Sequence, residues 1–308
     1  MNRFIRLRLL AMLLCLPFLL IFISGCGSSS QQKDEPPVYS PLQVLVPEAT
    51  GKETLGSSPM ILDVSNISQG YFIAQSDSSD LTCSLQIISP SGVLYSYFIA
   101  PGESAIVTFT EGSGDYTITG YQQVQGDQYA ALYSETVTVQ LENDFLPFLY
   151  PNQYVNFTPD SKASQLALSL IDEDTVDVDA LQQIYDYVVS NLTYDYEKAD
   201  TVTTGYLPDV DETLKTGTGI CFDYAALTTA MLRSCDIPCK LQIGYAGDIK
   251  HAWIDVYIRS KGWVNQAVSF KGDTWTLMDP TFDSNSDDKE AIQDYIGDES
   301  NYTVQFTR

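Results

Sequence analysis

Residues 217–245 read GTGICFDYAALTTAMLRSCDIPCKLQIGY, and this stretch decides the fold. Gly217 and Gly219 let the backbone turn tightly ahead of Cys221. The residues from Cys221 to about Arg233 follow at helical spacing, the Ile237-Pro238 pair marks a turn, and 240–245 reads as a strand. The prediction is therefore a glycine turn, a cysteine at a helix N-terminus, and a strand behind the helix. A cysteine so placed faces the positive end of the helix dipole and N–H groups without helical acceptors, which favours the nucleophilic thiolate. The same N–H groups can stabilise an oxyanion.

Moving outward towards the C-terminus, the chain holds a single histidine, His251, in HAWIDVYI (251–258). Cysteine–histidine catalysis needs a base within hydrogen-bond reach of sulfur, and a third group to orient the imidazole. Strand-like runs at 251–258, 263–270 and 274–278 follow, and Asp279 ends the last of them in WTLMDPT (275–281). Alternation puts His251, Trp253, Asp255 and Tyr257 on one strand face. The 28 positions from His251 to Asp279 are long for a simple hairpin. A meander of three strands would carry Asp279 to the wrong end. An excursion over about 260–273, leaving the His251 strand beside the Trp275 strand, brings them together; without it, Asp248 or Asp283 becomes the orienting candidate. One histidine also rules out a histidine-based zinc site without help from cysteine or carboxylates, and no metal or cofactor is expected. The run Asp283, Asn285, Asp287 imitates the start of a calcium loop, but Asp288 stands where glycine is required and Asp294 where glutamate is.

The three motifs, in this order, resemble the transglutaminase-like superfamily, whose core is similar to that of papain-type cysteine peptidases. The resemblance covers about 165–282. It implies Cys221 as nucleophile, His251 as general base and acid, and Asp279 as the orienting carboxylate. It also aligns Tyr194, in LTYD (192–195), with a tyrosine that can donate to the oxyanion, although a packed aromatic accounts for it too. Relatives carry plain apolar residues where this chain has Cys235 and Cys239, which are expected as two buried thiols.

Upstream of the core, 178–192 has its apolar residues at helical spacing, giving an amphipathic helix. Helix first and strands after make 146–308 an α+β domain. Before it, 42–145 shows short alternating runs at 42–46, 84–88, 93–99, 105–110, 116–121 and 136–141, separated by turn signals such as PSG and GSG. That pattern predicts an immunoglobulin-like antiparallel β-sandwich, for spacing or binding. Three prolines between 145 and 160 mark the inter-domain connection.

The start of the chain reads as a targeting signal. Arg3, Arg6 and Arg8 precede an apolar run over 9–23, too short to span a membrane, and ISGC (23–26) resembles a bacterial lipobox. Residues 1–25 are thus expected as a lipoprotein signal peptide, Cys26 as the lipidated residue, and 26–41 as a flexible tether. The protein would stand on the extracytoplasmic face of a cell membrane. The formal charge of −24 excludes nucleic acid as a partner. The expected activity is acyl transfer through a thioester on an extracellular protein, peptide or cell-wall substrate, ending in hydrolysis or cross-linking. The competing reading is a surface binding or adhesion protein whose catalytic fold is idle.

Overall fold

The computed structural model describes residues 35–172, 174–265, 268–271, 274–277 and 301–308. The expected leader, Cys26, Asp279 and Asp283 lie outside the described residues. Residues 34–308 cluster as one compact unit of mixed α and β structure.

The first half is all strand: β1 (Thr54–Ser57), β2 (Met60–Asp63), β3 (Tyr71–Ser76), β4 (Cys83–Ile88), β5 (Leu94–Ile99), β6 (Ser104–Thr108), β7 (Gly114–Gln125) and β8 (Gln128–Val139). They form two antiparallel sheets, in the orders β1-β2-β3-β6 and β5-β4-β7-β8. Period-two alternation turns Cys83, Leu85 and Ile87 of β4 and Tyr95, Tyr97 and Ile99 of β5 inward, where they share one core with Met60, Leu62, Phe72 and Val107 of the other sheet. Gly120 keeps its place because a Cβ there would lie 2.6 Å from the Tyr133 ring and the Met60 methyl. The strand expected at 42–46 is instead an extended strap without a ladder. Its Val44 packs in the core of the second half, and Leu45 packs with Tyr71, Leu146 and Leu149. The end of the expected tether is fastened as well: Tyr39 N–H donates to Asp236 Oδ2 at 3.2 Å, and Asn143 Nδ2 donates to the Glu35 carbonyl at 2.7 Å.

The second half contains α1 (Lys162–Leu170), α2 (Asp177–Asn191), β9 (Thr193–Tyr194), α3 (Tyr196–Thr201), α4 (Val210–Thr216), β10 (Thr218–Gly219) and α5 (Cys221–Arg233). There follow β11 (Cys239–Ala246), β12 (Ile249–Ile258), β13 (Gly262–Val264), β14 (Val268–Lys271), β15 (Thr274–Leu277) and β16 (Tyr302–Thr307). The main sheet runs β13-β12-β11-β16, and β14 and β15 pair in a two-stranded sheet of their own. Helix α5 is apolar nearly all round, so every residue from Asp223 to Arg233 is buried, with α1, α2 and α4 packed on it and β12 beneath. Ala252, Ile254, Val256 and Ile258 of β12 join that core, which leaves His251, Trp253, Asp255 and Tyr257 on the other face of the strand.

The segment expected as an inter-domain connection is not a bare link. Phe145, Leu146, Phe148, Leu149, Tyr150, Val155 and Phe157 are all buried. Beside it lies the Arg233 guanidinium, fully buried at the C-terminal end of α5. It donates to Tyr150 O at 2.7 Å, to Cys239 O at 2.8 and 3.0 Å, and to Arg308 O at 2.9 Å. Arg308 in turn lies 4.0 Å over the Tyr154 ring and donates to the Tyr97 hydroxyl at 3.0 Å. These two cations tie the sandwich-like half, the connecting segment and the second half together.

Candidate active site

The turn ahead of Cys221 is built as the glycines require. Asp209 caps α4 by accepting from the Asp211 and Glu212 N–H groups, and Gly217 ends that helix in the left-handed region at φ 65°. Thr218 and Gly219 then run parallel to Thr193 and Tyr194, and Asp195 N–H donates to the Gly219 carbonyl at 2.9 Å. A Cβ on Gly219 would fall 2.6 Å from the Asp223 Cβ, so only glycine lets the chain pass under its own helix. Ile220 is extended, and α5 starts at Cys221.

Cys221 is partly exposed, whereas Cys83, Cys235 and Cys239 are buried free thiols. Burial pushes the thiols of Cys235 and Cys239 up to about 12, so neither forms a thiolate at neutral pH. The two cysteines expected as buried thiols are just that. Cys221 is the one described cysteine open to a reagent or substrate.

Tyr194 lies beside it. The Tyr194 phenol is pushed up to about 12, by burial first and by the neighbouring Cys221 thiol second. The hydroxyl therefore keeps its proton at neutral pH and can donate it to a group that accumulates negative charge at the Cys221 amide. The Tyr194 ring also meets Tyr196 edge-on at 5.0 Å.

A cluster that sequence reasoning missed closes the other side of the turn. The Asp223 carboxylate, 0 % exposed, accepts the Ile220 N–H at 2.8 Å and pairs with Lys198 Nζ at 2.7 Å through Oδ2. Its Oδ1 accepts a short bond from the Tyr206 hydroxyl, which in turn accepts from Lys198 Nζ at 2.6 Å. Burial opposes the Lys198 charge, but its bonds to Asp223 and Tyr206 keep the ammonium above the ordinary lysine range. An acid two residues into a helix was visible in the sequence; its partners, 17 and 25 residues away, were not.

His251 stands near the start of β12, opposite Gly244 of β11, and is 6 % exposed. Its ring stacks with Trp253 at 6.2 Å and 16° and meets Tyr302 at 6.4 Å; Trp253 and Tyr302 pack edge to face at 5.1 Å. Asp255, two places beyond Trp253, accepts from Gln242 Nε2 at 2.6 Å. Among the described residues, the strand carrying Trp275 pairs with Val268–Lys271 and not with β12, which differs from the excursion expected from sequence. Asp248 is exposed on the turn between β11 and β12. Among the described residues, no group of three His, Cys, Asp or Glu side chains is arranged to hold a metal.

Residues 164–280 match the model of the transglutaminase-like superfamily core. No curated protein matches. Among solved structures, the chain is similar to a protein from Cytophaga hutchinsonii proposed to be a cysteine protease, at 19 % identity over 83 % of this chain and 84 % of that one, with a TM-score of 0.38. It is similar to the periplasmic domain of TgpA from Pseudomonas aeruginosa at 14 % identity over 74 % and 94 % of the two chains, TM-score 0.33. A structure described as a TGase matches at 17 % identity over 53 % and 43 %, TM-score 0.28. Over residues 164–280, this chain carries a transglutaminase-like domain.

Proposed function

We propose that this protein is a cysteine acyl-transfer enzyme that acts through a thioester on protein or peptide amides, with Cys221 as nucleophile, His251 as base and acid, and Asp279 as the group orienting the imidazole. The single observation that carries this reading is the situation of Cys221. It is partly exposed, it begins a buried helix, and the protonated Tyr194 phenol is its neighbour. An acyl-transfer nucleophile needs access, a field that favours the thiolate, and donors near the developing oxyanion.

In the proposed reaction the thiolate attacks the carbonyl carbon, and the charge moves to the carbonyl oxygen. Tyr194 O–H and the first N–H groups of α5 receive that charge. Collapse breaks the C–N bond, and His251 hands its proton to the leaving amine. The thioester is then released by water, with His251 taking the proton, or by an amine. We favour water, because an amine needs an approach channel of its own. The proposal includes an exported protein anchored through lipidated Cys26 on the extracytoplasmic face, acting on an extracellular protein, peptide or wall component.

The test is intact-mass measurement after acid quench of the protein with a broad peptide panel. The expected result is an acyl adduct on Cys221 that is absent from Cys221→Ala and accumulates differently in His251→Ala and Asp279→Ala. Neither adduct nor product from any peptide would sink the proposal.

A further inference from the structure

We propose that Lys198 is a positioning residue whose charge cancels that of Asp223, so that Asp223 can brace the nucleophile turn without opposing the Cys221 thiolate; this rests on the reading of Cys221 as the nucleophile. Three observations carry it. Asp223 lies two residues after Cys221, is wholly buried, and holds the turn through the Ile220 N–H at 2.8 Å. Among the described residues its carboxylate has one cationic partner, Lys198 Nζ at 2.7 Å, which reaches it from α3. The same ammonium also bonds the Tyr206 hydroxyl at 2.6 Å and lies 4.5 Å from that ring's centre, so the segment from Tyr196 to Tyr206 is fastened to the turn at two points.

The brace has an electrostatic cost unless it is neutralised. A carboxylate buried two residues along the helix from a thiolate is a like charge in a medium that screens poorly, and like charge disfavours ionisation. Capping alone needs only an acceptor, which asparagine would provide; an ionised carboxylate calls for a cation. The other titratable groups around the turn do not supply one. Tyr194 and Tyr206 are both held protonated near 12, in each case by burial first. Asp195 is itself acidic and caps α3 by accepting the Lys198 backbone N–H at 2.8 Å, and Glu197 is exposed on the same helix. That leaves Lys198 as the neighbouring charge able to balance Asp223, while His251 is reserved for the proton transfers.

The experiment is the pH dependence of iodoacetamide alkylation of the purified full chain, read at Cys221 by peptide mapping. Lys198→Met should move the midpoint for Cys221 upward by about one pH unit, while Lys198→Arg leaves it near the wild-type value. Asp223→Asn, with Lys198 retained, should move it downward, and the Lys198→Met/Asp223→Asn double variant should return it towards wild type. A purely structural role would instead change accessibility, and so amplitude, in the same direction for every variant. If Asp223→Asn fails to fold, the Met and Arg substitutions at Lys198 still decide. An unmoved midpoint in Lys198→Met overturns the proposal, as does a shift of the same sign in Lys198→Met and Asp223→Asn. Because the assay reads the thiol and not turnover, an enzyme that acylates no peptide could still pass it, so the two readings fail separately.

Discussion

Replacing Arg233 by Met should weaken the fold by about 3–5 kcal/mol, since it strips partners from several buried acceptors at once. The figure follows from the bonds. The guanidinium makes four contacts of 2.7–3.0 Å to the carbonyls of Tyr150, Cys239 and Arg308, and is 0 % exposed. Burial draws its pKa down to about 10, so it remains a cation at neutral pH with carbonyl dipoles as its partners. Desolvating that cation offsets much of what the bonds gain, so forming the arrangement contributes far less than breaking it costs. The Arg308 carbonyl keeps a second donor, Leu241 N–H at 3.0 Å, so the penalty falls mainly on Tyr150 O and Cys239 O. Two carbonyls orphaned at roughly 1–3 kcal/mol each sum to about 2–6 kcal/mol, and the stated range is the middle of that span. Urea unfolding followed by tryptophan fluorescence measures it. Arg233→Lys should fall between, because one ammonium cannot fork to three acceptors. A loss below about 1 kcal/mol in Arg233→Met would refute the reasoning, because the orphaned carbonyls would then have found other donors.

Tyr194→Phe should lower turnover by about 10²-fold, as for loss of one oxyanion donor, while Cys221 still alkylates; an undiminished rate constant removes Tyr194 from the mechanism. Asp236 has its carboxyl raised from 3.8 to about 7, by burial above all, with the Tyr39 N–H and Arg259 opposing. The folded state then holds a proton that the unfolded state releases, so stability falls as pH rises from about 4 to about 7. Asp236→Asn should abolish that slope and add a few kcal/mol at pH 8, and an unchanged slope in a pH series of urea midpoints counts against it. Native protein lacking residues 1–26 should take up a single iodoacetamide at pH 8, on Cys221, with Cys83, Cys235 and Cys239 labelled only after unfolding; fast native labelling at Cys235 or Cys239 would contradict their burial.

The second half of the fold was legible where periodicity is strong. The expected helix at 178–192 is Asp177–Asn191, that from Cys221 to Arg233 was read at its observed bounds, and the strands at 240–245 and 251–258 lie within β11 and β12. Tyr194 was named from a motif, and the parallel pairing of Gly219 with Tyr194 is what brings it to the cysteine. Other features were illegible for physical reasons. β1 and β2 are only four residues each, too short for alternation to emerge. The run at 42–46 has the composition of a strand, but it packs by side chains alone, and a missing ladder leaves no mark on a sequence. The prolines at 147, 151 and 159 mark an inter-domain connection, and the aromatic residues among them are what bury it. The Lys198–Asp223–Tyr206 cluster joins residues through tertiary contact, which no local pattern records.

The way the chain closes on itself also governs when it can fold. Thr110 bonds the Thr307 carbonyl across 197 positions, Arg308 reaches Tyr97 across 211, and β16 completes the sheet against β11. Contacts this distant in sequence form late, because long loops must close before they contribute. On a ribosome, the early strands can associate, but the socket around Arg233 stays without its Arg308 acceptor until residue 308 has emerged. Burial of the Arg233 cation is therefore completed late, when β16 docks on β11.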